Sequence, residues 1–469
     1  MGLANVRWRS ISLTPKLLAC WTIARSFGVA LKVKPHLQGL DVAIIGGGVA
    51  GLASAVSLRT LAGVKATVFE ADQGFGHGGF GLALWPNGLR ALHHIDTALH
   101  DEVVRAGSVV EERMFTTSEA TNIDYCRERE AFGHPMLCVR SLSLHNSLRR
   151  AALRHGCEMV SGVACKSISP VPGHEAGDKR AMIVLTSQEG GDNEVITADF
   201  VVGADGLQSV VRRHIGDPAL PRDTECVWLF GIVGHAACPI LLRNRMHTFF
   251  LSEPGKAASL MPVGDHTYWA VALTGEDRQE AMGLSGGHKE MQAFLKSKFG
   301  EECPALIELI DATPPHQIQR RNIEDRPATH TFVSGARTGE FYSALVGDAA
   351  HPTRPSLGQG ANMALEDAVQ LALLMRETDS IEELLKEYDA ARVLRCATLQ
   401  GDSEFVARRR ERQGGVDWRR WGENGEKNRI RPANKVTGNA EFVYNWEPAK
   451  LRHFPWKSET PARNNGGIA

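Results

Sequence analysis

The sequence predicts an α/β fold with a discontinuous Rossmann-like domain, an inserted and mostly antiparallel β-sheet domain, and a helical C-terminal part. Three observations predict it. Turns that contain glycine follow apolar runs at three distant places, after Ile45, after Val202 and after Val346. Residues 216–330 alternate apolar and polar side chains, as strands do. Beyond residue 377 the apolar residues recur with helical spacing.

Length and charge narrow the class of protein. The chain has 469 residues, enough for two or three structural units, and its 53 basic residues balance 54 acidic ones. This balance argues against a protein that works by neutralising nucleic acid. Nine cysteines are scattered without a CxxC pair, which indicates neither a disulfide framework nor a zinc site. We therefore expect a reduced intracellular protein without a metal centre.

The first 39 residues differ from the rest of the chain. The sequence contains six Lys or Arg and no acidic residue before Asp41, and its apolar run "LLACWTIA" is too short to span a bilayer. Such a composition is typical of an organelle transit peptide, although an upstream extension or a misplaced start codon fits equally well. In either case we expect this segment outside the fold, and the compartment to be cytoplasmic or organellar.

The first glycine turn has the features of a dinucleotide site. In "DVAIIGGGVAGLASAVSL" an apolar run leads to Gly46, Gly48 and Gly51 in GxGxxG spacing, followed by a helix of small residues. These glycines permit a tight turn, a close approach of phosphate and close packing of helix on strand. Glu70 ends the next apolar run, 24 residues after Gly46, where a carboxylate accepts hydrogen bonds from a ribose. The turn therefore predicts bound FAD or NAD rather than NADP.

Two further motifs have no place in a plain NAD dehydrogenase. "ADFVVGADGLQSVVRR" contains Asp205 and Arg212, and "GDAAHPTRPSLGQGANMALEDA" follows an apolar run. The residues of interest in the second motif are Gly347, Asp348, His351, Pro355, Gly358, Gly360 and Asn362. Its glycines admit a flat group close to the backbone, and the helix that begins there favours a developing negative charge.

In this order and at these distances, the three motifs resemble those of the flavoprotein aromatic-hydroxylase family. This group of single-component FAD monooxygenases includes para-hydroxybenzoate, salicylate and urate hydroxylases and the zeaxanthin epoxidases. The resemblance covers about residues 40–400. It implies FAD as the cofactor and NAD(P)H as a transient co-substrate that binds in a groove rather than in its own domain.

The resemblance also implies roles for individual residues. Asp348 would bind the ribityl chain of FAD, Pro355 would lie beside the flavin ring, and Gly358 to Asn362 would present amides to its pyrimidine edge. Asp205 and Arg212 would serve the FAD or the pyridine nucleotide, although Arg212 also fits a salt-bridged structural corner. Arg140 would contact the diphosphate, but the leucines after it depart from the usual spacing. No catalytic base can be named, and His351 and Pro355 are the candidates near the ring.

The resemblance divides the chain into parts. We expect the FAD-binding domain in residues 40–110, 140–215 and 325–376, the substrate domain in 111–139 and 216–324, and C-terminal helices and tail in 377–469. Five large side chains could line an apolar substrate pocket: Trp228, Phe230, Phe249, Met261 and Trp269. His235, His247 and His266 in the same segment are expected to be structural or on the surface.

The function that follows from the resemblance is FAD-dependent hydroxylation of a small aromatic or conjugated ring. NAD(P)H would reduce the flavin, and dioxygen would then give a C4a-hydroperoxyflavin that transfers its distal oxygen. An epoxidase or reductase of an isoprenoid or lipid on the same fold is the alternative, and a non-catalytic carrier is the alternative of a different class. The expected partners are a small molecule and dioxygen, without nucleic acid or a transmembrane span, in a monomer or homodimer. Peripheral contact with a membrane stays open.

Overall fold

The computed structural model describes residues 33–74, 79–117, 121–172, 179–188, 193–217, 219–237, 244–251, 255–285, 287–335, 341–413 and 440–448. Most of the basic N-terminal segment lies outside these residues. Its last part packs on the fold, since Leu37 is 3% exposed and Lys34 Nζ donates to the Glu377 carbonyl at 2.7 Å. The expectation that all of residues 1–39 stand outside the fold is therefore wrong for residues 33–39.

Nineteen strands are found in the described residues. They are β1 Val42–Ile45, β2 Ala66–Glu70, β3 Gly81–Leu84, β4 Ser108–Val110, β5 Glu112–Thr116, β6 Thr121–Tyr125, β7 Met136–Arg140, β8 Glu158–Ser161, β9 Val163–Pro170, β10 Ala181–Ser187, β11 Glu194–Ala198, β12 Phe200–Gly203, β13 Arg222–Gly234, β14 Arg245–Phe250, β15 Ala257–Val263, β16 His266–Leu273, β17 Gln319–Asp325, β18 Val333–Ser334 and β19 Tyr342–Leu345.

The same residues form twelve α-helices. They are α1 Val49–Ser57, α2 Pro86–Ile95, α3 Thr97–Ala106, α4 Glu128–Phe132, α5 Ser141–Arg154, α6 Val210–His214, α7 Gly275–Gly283, α8 His288–Phe299, α9 Pro304–Ala312, α10 Gly360–Glu377, α11 Ile381–Gln413 and α12 Ala440–Tyr444. A wide turn at Leu58–Ala62 continues α1.

A six-stranded sheet in the order β18-β19-β12-β1-β2-β8 carries the three glycine turns. Its five strands from β19 to β8 are parallel to one another, and β1 and β12 are buried along their whole length. Parallel strands buried on both faces read as continuous apolar runs, which is why sequence alone could place them. The turns after β1, β12 and β19 come together at one edge because these strands are neighbours with the same direction.

The second large sheet has seven strands in the order β17-β13-β16-β15-β14-β5-β6. All neighbours are antiparallel except β14 and β5. One face packs against α7, α8 and α9 in a separate apolar cluster, and the other face joins the main core. The predicted inserted antiparallel domain is therefore confirmed as a fold feature.

Two small sheets complete the fold. The sheet β3-β7-β4 joins segments from both proposed domains, because Met136–Arg140 pairs with Gly81–Leu84 and with Ser108–Val110. The sheet β11-β10-β9 leads into β12. Gly81 packs on the seven-stranded sheet so closely that an added Cβ would lie 2.7 Å from the Tyr268 ring.

The C-terminal part is helical, as predicted. The long helix α11 packs against α10, and α12 packs against α2. Arg90 Nη1 on α2 donates to the carbonyls of Tyr444 and Trp446 at 3.0 and 2.9 Å. Among the described residues, each helix is too short or too polar to cross a bilayer.

Candidate functional site

The first glycine turn forms a tight cradle at the end of β1. Gly46 has φ +101°, and an added Cβ would lie 2.3 Å from the Ala204 carbonyl oxygen. A Cβ on Gly51 would lie 1.9 Å from the Gly46 oxygen, so both positions exclude a side chain. Gly48 is different, because it caps α1 and a Cβ there would meet no atom within 4 Å. The open space over Gly48 faces the positive end of the helix and suits a phosphate.

Glu70 braces this turn from β2. One carboxylate oxygen accepts the Gly47 amide at 2.5 Å, and the other accepts the Asp72 amide at 2.8 Å. The residue is 7% exposed. Each oxygen keeps a second lone pair, so the carboxylate can hold the loop and still accept a hydroxyl group.

Two residues of the β7–α5 region reach the same turn. His145 Nε2 lies 2.8 Å from the Gly47 carbonyl oxygen, a contact that the sequence did not reveal. Arg140 ends β7, and its terminal nitrogen lies 4.0 Å from the Cβ position of Gly79. Arg140 Nε is buried and has no hydrogen-bond partner among the described residues. A buried guanidinium nitrogen without a hydrogen bond suits a negatively charged group nearby.

Asp205 holds the second motif in shape. Its carboxylate accepts the Ser209 hydroxyl and the Val210 amide, each at 2.6 Å, at the start of α6. Burial raises the pKa of Asp205, and these hydrogen bonds act in the opposite direction. In this structure the side chain serves mainly as a cap for α6.

Arg212 does not face the cleft. It is fully buried, its Nε and one Nη bond Asp217 at 3.0 and 2.7 Å, and its other Nη donates to the Ala350 carbonyl at 2.8 Å. The guanidinium thus ties α6 to the loop after β19. Arg212 therefore has the structural role that the sequence left open, that of a residue in a salt bridge at a corner of the chain. The expectation that it contacts a nucleotide directly is corrected.

The third turn begins at Gly347, which has φ +59° and whose amide donates to Asp367 at 2.8 Å. A Cβ on Gly347 would lie 2.7 Å from the Ala50 side chain, so this turn packs directly on α1. Asp348 follows on the exposed side. No described residue hydrogen-bonds its carboxylate, which is available to a ligand in the cleft between the turns.

The loop then runs to the start of α10. Pro355 opens a short helical turn, and Gly358 ends that turn with φ +61°. Gly360 begins α10. The Asn362 side chain accepts the Trp85 amide at 2.9 Å and donates to the carbonyls of Ala83 and Gly358 at 3.0 and 2.7 Å. The polar side-chain atoms of Asn362 are thus engaged within the protein and hold the loop against β3.

His351 lies beneath the loop rather than in the cleft. The residue is fully buried, and its Nε2 is 2.6 Å from Asp367. Burial lowers the pKa of His351, but the neighbouring Cys396 and Asp367 outweigh it and raise the pKa well above its ordinary value. The expectation that His351 is a candidate for chemistry beside the ring is therefore corrected: its side chain does not reach the cleft.

A buried ionic network missed by the sequence analysis supports His351. Arg392 on α11 bonds Asp367 at 2.6 Å and Glu366 at 2.7 Å, and Arg395 bonds Glu366 at 2.6 Å. These residues locate α11 against the start of α10. His351, Asp367 and Cys396 have potential ligand atoms within 4.8 Å of one another, but the Arg392 guanidinium already occupies Asp367 and disfavours a cation there.

A pocket lies between this loop and the seven-stranded sheet. It contains about 610 Å³ of empty space, part of it open to solvent, and Pro355 faces Cys226, Trp228, Phe250 and Ile323 across it. The other lining residues are Thr224, Gly255, Lys256, Ala257, Ala272, Thr274, Arg354, Ser356 and Ala407. The mostly apolar lining suits a small ring compound.

The strand register decides which of the predicted aromatic residues can reach this pocket. Trp228 pairs with Ala272, and Phe230 and Met261 lie on the same face of the sheet. Phe249 and Trp269 point to the opposite face and pack in the cluster formed with α7, α8 and α9. The expectation that Phe249 and Trp269 line the pocket is therefore wrong. One residue of shift along a strand reverses the face.

The three histidines of the substrate segment stand outside the residues that line this pocket. His247 Nε2 lies 2.8 Å from the Thr116 hydroxyl, and burial lowers the His247 pKa to about 4. His266 is bonded to Asp265 at 2.5 Å. His235 belongs to a short turn after β13.

Comparison with known proteins agrees with this geometry. The profile of the family described as "FAD binding domain" matches residues 39–400. A 3-amino-4-hydroxybenzoate 2-monooxygenase of Streptomyces cremeus is 30% identical over 79% of this chain and 87% of its own. An FAD-dependent urate hydroxylase of Klebsiella oxytoca is 28% identical over 76% of this chain and 86% of its own.

A solved structure shows the same fold. The crystal structure of Klebsiella pneumoniae HpxO complexed with FAD and uric acid has a TM-score of 0.70 and 23% sequence identity, and the likeness covers 87% of this chain and 98% of that chain. The glycine cradle, the free Asp348 carboxylate and the open face of Gly48 fit a bound dinucleotide. The chain therefore belongs to the FAD binding domain family, and it is an FAD-dependent monooxygenase related to the aromatic hydroxylases.

Proposed function

We propose that this protein hydroxylates a small aromatic or heteroaromatic ring held beside Pro355, with NAD(P)H as reductant and dioxygen as the source of oxygen. The pocket between the Pro355 loop and the seven-stranded sheet carries this proposal. The two relatives are named for action on an aminohydroxybenzoate and on urate, and both names support a ring compound as the substrate class.

The chain's own residues would hold FAD across the three turns. The amides at the start of α1 would bind the diphosphate over Gly48, and Glu70 would accept the adenosine ribose hydroxyls. Arg140 would add a positive charge beside the diphosphate, and Asp348 would accept a ribityl hydroxyl. The amides at the start of α10 would stabilise negative charge on the flavin. When bound, FAD supplies the redox and oxygen chemistry.

The pocket would recognise its substrate mainly by shape and apolar contact. Trp228, Phe250 and Ile323 offer faces on which a ring can pack. The two cations at the pocket wall already face acids, since Lys256 Nζ lies 2.9 Å from Asp277 and Arg354 Nε lies 3.6 Å from Asp325. Phenols and purines are therefore expected to bind better than substrates that depend on a carboxylate anchor.

The test follows NADH and NADPH oxidation by the FAD-loaded protein in the presence of phenols, salicylates, purines and isoprenoids. A ring compound that accelerates oxidation and is recovered with one additional oxygen atom supports the proposal. Stimulation by an isoprenoid alone, with an epoxide as product, would instead assign the chain to epoxidation. Oxidation that yields only hydrogen peroxide with every ring compound would contradict hydroxylation in this pocket.

A variant that fills the pocket locates the substrate. Ala272 lies at the pocket wall opposite Trp228, and Ala272→Phe should raise the KM for the ring compound or abolish its stimulation while FAD stays bound. Ala312→Phe adds the same bulk at an exposed position outside the pocket and serves as the control. Equal kinetics for the two variants would show that the substrate binds elsewhere.

A further inference from the structure

A cluster of three histidines lies on the outer side of the FAD-binding part, away from the substrate pocket. It consists of His93 on α2, His100 on α3 and His134 in the loop between α4 and β7. The ring centroids are 5.4 Å apart for His93 and His100, 5.5 Å for His100 and His134, and 6.1 Å for His93 and His134. We propose that this histidine cluster is a binding site for a divalent transition-metal ion of the zinc class.

The distances between the ring centroids are close to those that three imidazoles around one ion require. A zinc–nitrogen bond of about 2.0–2.1 Å puts each ring centroid about 3.2 Å from a tetrahedral ion and neighbouring centroids about 5.3 Å apart. The observed triangle is only slightly wider. The ring nitrogens of the three histidines do not all lie within 4.8 Å of one another. Among the described residues, the group whose potential ligand atoms do so is His351, Asp367 and Cys396. To bind one ion, the three rings would have to rotate about their side-chain bonds until their nitrogens converge.

His100 shows the features of a prepared ligand. Its Nδ1 lies 3.0 Å from the Asp101 carboxylate, and its Nε2 is buried without a hydrogen-bond partner in the described structure. A carboxylate on one ring nitrogen fixes the tautomer and directs the other nitrogen toward a metal, as in known zinc sites. A buried imidazole nitrogen with nothing to bond is otherwise unfavourable, and an ion would satisfy it.

The charge beside the cluster does not strongly repel a cation. The nearby positive charge on Arg90 is paired with Glu447, whose carboxylate is 3.1 Å away. His94 lies 3.9 Å from the same carboxylate and stands beside the cluster. Three nitrogens would leave one position for water.

The sequence could not indicate this site. His93 and His100 lie seven positions apart, but a sharp corner at Asp96, which caps α3 through the amides of Ala98 and Leu99, turns the two helices against each other. His134 comes from a different loop 34 residues later. Only the packing of α2, α3 and the loop before β7 brings the three rings together.

Isothermal titration of the full-length, FAD-loaded protein with zinc chloride tests the proposal. One ion per chain is expected, and His100→Gln and His134→Gln should each weaken binding at least about tenfold, while Asp101→Asn should weaken it about 10–100-fold. His330→Gln removes an exposed histidine elsewhere and should change nothing.

Cobalt distinguishes the histidine cluster from the buried group of His351, Asp367 and Cys396. Cobalt(II) bound by three imidazoles and water should give visible absorption beyond the flavin bands, and Cys396→Ser should keep it. The proposal is overturned if the protein binds no ion, if the histidine variants bind zinc as the parent protein does, or if Cys396→Ser abolishes the signal. Circular dichroism of each variant establishes that lost binding does not reflect unfolding.

Discussion

The glycines of the first turn differ in what a methyl group would do, and this difference can be measured. Gly48→Ala places the methyl group in open space, at φ −70° and ψ −171°, which alanine adopts without strain. Gly51→Ala places it 1.9 Å from the Gly46 carbonyl oxygen. An ordinary contact is 3.4 Å or more, so α1 would have to move roughly 1.5 Å from β1.

The two variants should therefore lose different properties: Gly51→Ala should lose stability, and Gly48→Ala should lose affinity for FAD. Gly51→Ala should lower the free energy of unfolding of the apoprotein by at least about 1–3 kcal/mol, the usual cost of forcing extra atoms into a packed region. Gly48→Ala should change it by less than about 1 kcal/mol, since a weaker helix cap is offset by a less flexible unfolded chain. The methyl group at Gly48 would instead obstruct a phosphate bound to the helix amides. Loss of one such charged hydrogen bond, worth about 1.5–3 kcal/mol, corresponds to roughly 10–150-fold weaker FAD binding.

Urea denaturation of the apoproteins measures the first effect, and titration of the apoproteins with FAD, followed by flavin fluorescence, measures the second. Gly39→Ala on the surface, where a Cβ also meets no atom within 4 Å but φ is +73°, controls for backbone strain without affecting the cleft. The reasoning is refuted if Gly48→Ala binds FAD as tightly as the parent protein, or if Gly51→Ala unfolds at the same urea concentration.

Three further predictions concern the acids and the buried network. Asp348→Ala should weaken FAD binding by about 1–3 kcal/mol without lowering apoprotein stability, because its carboxylate has no partner in the described protein; unchanged retention of FAD through gel filtration would count against this. Arg392→Ala should cost about 3–5 kcal/mol in urea denaturation, because it leaves the buried Glu366 and Asp367 short of a cation; a stable variant would show that the network is dispensable. Burial raises the pKa of Asp402 from 3.8 to about 6, so ionising it destabilises the fold increasingly between these pH values and constantly above them. Asp402→Asn should thus stabilise the protein by roughly 1–3 kcal/mol at pH 8 and much less near pH 4, and an equal gain at both pH values would contradict this assignment.

Much of the cofactor cleft could be predicted because its requirements are local. A strand buried on both faces is a continuous apolar run, and a turn that must take positive φ or admit a phosphate needs glycine at a set spacing. Gly46, Gly48 and Gly51 therefore identify their turn within a few residues. The same holds for Gly347 and Gly358, both of which take positive φ in the structure.

Side-chain partners were less accessible to sequence reasoning because they lie far apart in the chain. Arg212 finds the Ala350 carbonyl 138 positions away, and Asn87 finds Glu366 across 279 positions. His351 stands within the motif that borders the cleft, yet Asp367 draws its ring into the interior. A motif specifies which residue types are present, while burial and charge pairing decide where each side chain points.

The sequence by itself determined the fold class, the three glycine turns and a dinucleotide cofactor, because short stretches of backbone can satisfy those demands alone. That this dinucleotide is FAD was implied by the resemblance of the three motifs to a known family. Only the tertiary structure decided that Trp269 packs on helices while Trp228 faces the pocket, since strand register sets the face. It also decided that His93, His100 and His134 meet at one place. Contacts of this kind depend on how distant elements pack, and no local pattern in the sequence records them.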